Sequence, residues 1–348
     1  MKKDIVWLDY ARFIGIYLVI FGHLLQRWPE FSCGIIKSIW DYIYMFHMPL
    51  FFIISGYLFK NDKTQLISVR IKKIFYSLII PYLLYQLVYF PVVLLKNGGI
   101  YNTSILFKIL MGIILGDGYE TSISLPVNLP CWFIICIIQL RLLFIFIPIN
   151  KISSFILSIF SILTLVLLKF FDIDLYFCLD STLMAIPYFI FGHYIAKKEI
   201  IEKLRHNIRF IVCLLLFVAV YVILKYNGSA QMNGPSFGDN IILNYFAGIS
   251  GTIGVFIISN ITSDFLNKRK IIYIISRNTL FIIFFHWIVL VPFKFVILVF
   301  EHFDLQWISN PVSIIIMTFI GTIVILSISV MIIERFRNKI PLFFGKTK

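Results

Sequence analysis

Long apolar runs separated by short polar connections fill this chain almost from end to end. Ten of them, near 5–26, 36–59, 74–95, 131–149, 152–171, 181–196, 208–226, 241–259, 278–300 and 311–333, approach the roughly 20 residues that an α-helix needs to cross a bilayer. Their apolar positions are continuous rather than alternating, which fits helices and excludes the strands of a membrane β-barrel. A further apolar stretch, 104–115, is shorter and carries Lys108, so it reads as a re-entrant or interfacial helix. The polar connections at 60–73, 116–130, 197–207, 227–240 and 260–277 are too short to hold another domain. The pattern therefore predicts an all-α polytopic membrane bundle of about ten transmembrane helices. It is expected to form one domain, 1–348, with no appended soluble domain.

Composition supports this reading. The chain is 60% hydrophobic and 14% charged, with 37 phenylalanines, and its mean hydropathy is +0.94. A soluble domain of this size could not hide so much apolar surface. The net charge of +14 would suit a nucleic-acid partner if it were spread over a soluble face. It is instead grouped at Lys2 and Lys3, at Lys60, Lys63, Arg70, Lys72 and Lys73, at Lys197, Lys198, Lys203, Arg205 and Arg209, at Lys268, Arg269, Lys270 and Arg277, and at Arg335, Arg337, Lys339, Lys346 and Lys348. Basic clusters in alternate connections follow the positive-inside rule. They place both termini in the cytoplasm and suit contact with anionic membrane lipids rather than nucleic acid. Parity then requires an odd number of crossings between 95 and 197, and the spans near 131–149, 152–171 and 181–196 supply it without 104–115. The first apolar segment carries Asp9 and Arg12 and has no small-residue cleavage site, so the first helix is expected to be retained.

Cys33, Cys131, Cys136, Cys178 and Cys213 lack the short spacings of zinc or redox motifs, and read as buried thiols. His23 and His47 lie on separate segments without a carboxylate at ligand spacing, so no metal is expected.

Ionisable residues within spans are costly and mark function. Arg12 and His23 are eleven positions apart, about three helical turns and roughly 16 Å, on one face of the first span. Asp9 shares that face. His47 falls within the second span, just before Pro49, which is expected to kink that helix and open space beside the imidazole. His286 and Trp287 follow a polar run of Ser276, Arg277, Asn278 and Thr279. Neutral imidazole can accept a proton near physiological pH. Trp28, Trp40, Trp132 and Trp307 fall at or near outer helix ends, where aromatics mark the membrane interface.

These stretches resemble the membrane acyltransferase-3 family, and within it the sugar O-acetylases of the fucose 4-O-acetylase type. The opening WLDYARFIGIYLVIFGH (7–23) is similar to that family's arginine–ten residues–histidine signature with its preceding acidic residue. FHMPLFFIISGYLF (46–59) resembles its second helix, LPCWFI (129–134) its tryptophan-aromatic motif, SRNTLFIIFFHW (276–287) its late histidine helix, and KIPLFFGK (339–346) its ending. The resemblance implies ten helices and transfer of an acyl group, usually acetyl from cytoplasmic acetyl-CoA, to a hydroxyl of an envelope glycan or its lipid-linked precursor. The setting would be a bacterial inner or plasma membrane. It implies that His23, Arg12 and Asp9 are the catalytic set, with His47, His286, Trp132 and Asn278 as further site residues. His23 would either deprotonate the attacking hydroxyl or itself be acylated first. Arg70, Lys72 and Lys73 would hold the CoA phosphates. Two other readings of the buried ionisable residues are a glycan transporter or flippase and a non-catalytic partner in glycan synthesis.

Overall fold

Apolar helices joined by short polar turns make up nearly all of the computed structural model, which describes every residue except 1–4, 33, 61–63, 98–101, 199–200, 202–203, 205, 267–268, 303–309 and 347–348. Lys2, Lys3, Cys33, Lys63, Lys203, Arg205, Lys268, Trp307 and Lys348 therefore lie outside the described residues. In chain order the helices are α1 (Val6–Leu25), α2 (Gly34–Tyr44), α3 (His47–Leu58), α4 (Ile67–Ile74), α5 (Ile80–Lys96), α6 (Thr103–Leu115), α7 (Trp132–Phe146), α8 (Lys151–Phe170), α9 (Leu179–Lys198), α10 (His206–Asn227), α11 (Ile241–Leu266), α12 (Lys270–Arg277), α13 (Thr279–His302) and α14 (Pro311–Phe336). Among the described residues there is no strand, only an isolated bridge between Gln231 and Ser236.

Among the described residues seven helices, counting Ile67–Lys96 as one, are long and apolar enough to cross a bilayer, and α12 with α13 makes an eighth if that bent pair is one span. Two of the most apolar, α8 and α10, bury only 17% and 11% of their spanning window. Side chains such as Phe160, Phe170, Phe210 and Leu215 face outward. Such surfaces belong in lipid, so this is a multi-pass membrane protein. The 13-residue α6 falls short of a span.

Two sequence expectations are corrected locally. The run 36–59 is not one kinked helix. It is broken at Met45–Phe46 into α2 and α3, and Pro49 lies in the first turn of α3, where a missing N–H costs no intrahelical bond. The basic stretch within 60–73 is not a loop either, because Arg70, Lys72 and Lys73 sit on α4. A π-helical turn, Phe75–Ile79, joins α4 to α5. Pro81 has no N–H to offer the carbonyl of Ser77, so the ladder widens there.

By their internal contacts the residues divide into two units. Unit 1 comprises Met1–Phe51, Glu199–Ala230 and Phe237–Arg335. In it α1 packs along α11, α12 and α13, and α10 lies against α11. Phe21, Leu25, Trp28, Ile36, Trp40 and Ile43 form a core with Ile297 and Ile314. Unit 2 comprises Phe52–Lys198, Gln231–Ser236 and Phe336–Lys348. There α9 packs between α7 and α8, and α8 starts with a capping box in which Asn150 and Ser153 satisfy each other's backbone N–H groups. The remaining part of α3 crosses α9 so closely that a Cβ on Gly56 would lie 1.9 Å from the carbonyl oxygen of Phe189, and one on Gly192 2.0 Å from that of Ile53.

Candidate functional site

Three histidines from separate helices of unit 1 are joined by ring contacts, His286 to His23, and His23 and His47 to Tyr44. His23 is in the last turn of α1, His47 starts α3, and His286 lies two turns into α13. The His23 and His286 rings stack at 5.3 Å between centroids and 28° between planes. Tyr44 approaches His47 at 4.3 Å and presents an edge contact to His23 at 6.4 Å. Trp287 stands against His23 at 5.4 Å and 81°, with the Arg27 guanidinium 4.8 Å above its ring. That cation–π contact brings positive charge beside the imidazole pair.

Each imidazole has its Nδ1 engaged. His47 Nδ1 lies 3.0 Å from the Ile43 carbonyl oxygen, and His286 Nδ1 lies 3.0 Å from that of Ile282. A carbonyl oxygen can only accept, so both Nδ1 atoms carry the proton and both Nε2 atoms carry a lone pair. His23 Nδ1 is 3.1 Å from Gln26 Oε1, one turn on, and the same tautomer follows from donation to that oxygen. His286 is fully buried, and its Nε2 has no hydrogen-bond partner. A buried acceptor left unsatisfied costs about 1–3 kcal/mol. Such a lone pair is available to a hydroxyl donor, and this is the chemistry a general base requires.

The acidic residue and the arginine of α1 serve another contact. Asp9 Oδ1 lies 3.7 Å from Arg12 Nη1 and 3.5 Å from Arg277 Nε, and it accepts a 2.8 Å hydrogen bond from Ser276 Oγ. Asp9 is buried while both guanidiniums keep some exposure. One carboxylate thus ties α1 to α12 and balances two arginines, about four turns from His23. Asn278 occupies the break between α12 and α13, where the helix axes turn by 87°. Its Nδ2 donates to the Ile274 carbonyl at 2.6 Å, while its buried Oδ1 has no partner.

The structure therefore assembles His23, His47 and His286 in one cluster, and Asp9 with Arg12 in another, within the same unit. Trp132, Arg70, Lys72 and Lys73 belong to unit 2, where Trp132 packs its ring against Phe52 at 6.3 Å. Trp28, Trp40 and Trp132 are buried rather than displayed at an interface. Trp28 donates its indole N–H to Thr318 Oγ1 at 3.0 Å, and Trp40 stacks on Tyr44. Tyr44, Gln26 and Arg27 were missed by sequence reasoning. Gln26, three residues after His23, is the one whose spacing carried a signal. Among the described residues no three His, Cys, Asp or Glu side chains are placed to hold a metal ion. The four described cysteines are free and buried.

A family model described as an acyltransferase domain, the acyltransferase-3 type, matches residues 5–330 of the chain. Neither a curated protein nor a solved structure matches it.

Proposed function

The chain belongs to the membrane acyltransferase-3 family and is an acyltransferase, and we propose that it moves an acetyl group from cytoplasmic acetyl-CoA to a hydroxyl of an envelope sugar or polysaccharide, as sugar O-acetylases of the fucose 4-O-acetylase type do. The observation that carries this reading is the stacked pair His23 and His286, with the buried, unpartnered Nε2 of His286. A sugar hydroxyl is a weak nucleophile. His23 accepts its proton as the oxygen attacks the thioester carbonyl, the carbon–sulfur bond breaks, the CoA sulfur leaves as a thiolate that takes up a proton, and the sugar keeps the new ester. His286, stacked on His23, offers its unpartnered Nε2 as a second acceptor for a donor on the acceptor sugar. Arg70, Lys72 and Lys73 hold the donor's phosphates from the cytoplasmic side of a cell membrane. Ten crossings with both termini in the cytoplasm complete the reading: the seven long apolar helices, the bent pair α12–α13, the split pair α2–α3, and the 20-residue α9.

Mass spectrometry of surface glycans from a strain lacking the gene tests this. The acetyl ester should vanish while the glycan remains, and the wild-type chain, but not His23→Ala, should restore it. Loss of the whole glycan would instead assign the chain to transport or assembly. A purified protein incubated with labelled acetyl-CoA alone should retain no label, since transfer is direct; a stable acyl-protein adduct would replace that route with an acyl-histidine one.

A further inference from the structure

The carboxy-terminal residues after α14 fold back as a strap on unit 2. Its 3₁₀ turn, Pro341–Phe344, is fastened where Tyr85 Oη donates to the Phe343 carbonyl at 2.8 Å and the two rings meet edge to face at 5.4 Å. Gly345 follows at φ +65°, and a Cβ there would lie 2.6 Å from the Ser77 carbonyl oxygen of the π turn. Between the strap, α4 and that turn lies a cavity of about 1210 Å³. Its polar lining includes Lys72, Lys73, Lys339, Lys346, Tyr76 and Ser77, and among the described residues no carboxylate lines it.

Four cations around one space, with no anion among the described residues that line it, is an arrangement that folding alone disfavours. Three of the lysines are exposed and can be solvated. Lys346 differs: its Nζ is buried without a hydrogen-bond partner, and so is Ser77 Oγ. Burial, and then the charge of Arg337, push the Lys346 ammonium below the usual lysine range. Buried donors are almost always partnered in folded proteins, so two orphans in one basic cavity mark the place of an anionic acceptor. The volume exceeds what an inorganic phosphate would fill and suits a nucleotide-sized ligand. A π turn, rare in helices and frequent at functional sites, forms one wall.

We propose that this cavity binds the adenosine 3′,5′-bisphosphate end of the acyl-CoA donor, with Lys339 and Lys346 of the strap and Ser77 of the π turn joining Lys72 and Lys73 as its phosphate ligands. The assignment rests on the donor named above and adds the strap to its site. Lysine ammoniums and the serine hydroxyl donate to phosphate oxygens, and Tyr76 gives an aromatic face for the purine.

The test is titration calorimetry of adenosine 3′,5′-bisphosphate against the full-length chain in nanodiscs of zwitterionic lipid. Wild type should bind, Lys346→Met should bind about tenfold more weakly or worse, and Lys346→Arg should stay within a few-fold of wild type, which separates charge from folding. In transfer assays Lys346→Met should raise KM for acetyl-CoA and leave kcat nearly unchanged. Equal binding by wild type and Lys346→Met would overturn the proposal. So would absence of nucleotide binding together with Lys346-dependent retention of phosphatidylglycerol, which would make this a lipid-headgroup site. Lys346-dependent nucleotide binding by a chain that transfers no acetyl group would sustain the site and remove the donor reading alone.

Discussion

His286 is the single residue on which the proposed acetyl transfer can be tested most directly. Its Nδ1 proton is committed to the Ile282 carbonyl, so the lone pair on Nε2 is fixed in direction and has nothing to accept from. His286→Asn can keep the donor to that carbonyl while removing the basic nitrogen. This variant should insert and unfold like wild type yet lose most transfer activity, and wild-type rates would reduce His286 to a helix pin. His23→Ala should lower turnover by about 10²–10⁴-fold, the usual worth of a general base, measured as acetyl ester formed by purified protein. Asp9 predicts a different failure. Removing its carboxylate leaves Arg12 and Arg277 facing one another near a buried position, and breaking such a pair costs about 3–5 kcal/mol where it is fully buried, less here because both guanidiniums are partly solvated. Asp9→Ala should therefore lower the unfolding temperature in detergent more than His23→Ala does. Arg12→Lys should retain that stability and lose activity if the guanidinium's geometry orients a substrate oxygen; undiminished transfer would show that only its charge is used.

The helices carry the second level of control through where they break. Met45–Phe46 interrupts the second apolar run, so Tyr44 ends one helix and His47 begins the next. The two rings meet at 4.3 Å across that break. The 87° turn at Asn278 similarly separates the Asp9-binding helix α12 from α13, which carries His286. Other elements must stay unbroken and close. Gly56 and Gly192 let α3 and α9 approach backbone to backbone, and a methyl at either position would meet a carbonyl oxygen at 1.9 or 2.0 Å. Gly192→Ala should separate the two helices and destabilise unit 2 by about 1–3 kcal/mol or more, read as a lower midpoint in thermal unfolding. An unchanged midpoint would mean that the crossing yields without cost.

At the scale of the whole molecule, topology and chemistry make one joint prediction. In sealed vesicles of known orientation, acetyl-CoA should be consumed only from the face bearing the basic connections, because charged CoA does not cross lipid. Cysteines placed at the exposed Ser122 and Ser236, in a chain lacking its native thiols, should react with an impermeant reagent only from the opposite face. Labelling of position 122 from the CoA face would make Thr103–Leu115 a crossing and overturn the count of ten. The sequence by itself determined that the chain is helical and lies in a membrane, since apolar length and the need to satisfy every backbone group within lipid leave little choice. It also placed most helix boundaries, and it singled out His23, His47 and His286 because an ionisable group in an apolar run is costly and either serves function or pins helices together. Only the tertiary structure decided which of these residues meet. Sequence spacing reports neighbours on one helix, so it tied Asp9 to Arg12, and the same spacing held an unread signal for Gln26 beside His23. It could not report that Ser276 and Arg277 close on Asp9, that His286 stacks on His23, or that Lys346 returns to Ser77. Nor did Pro49 disclose that the helix was already broken ahead of it. Those contacts join residues hundreds of positions apart, and they are fixed by how helices pack, a property that no local pattern contains.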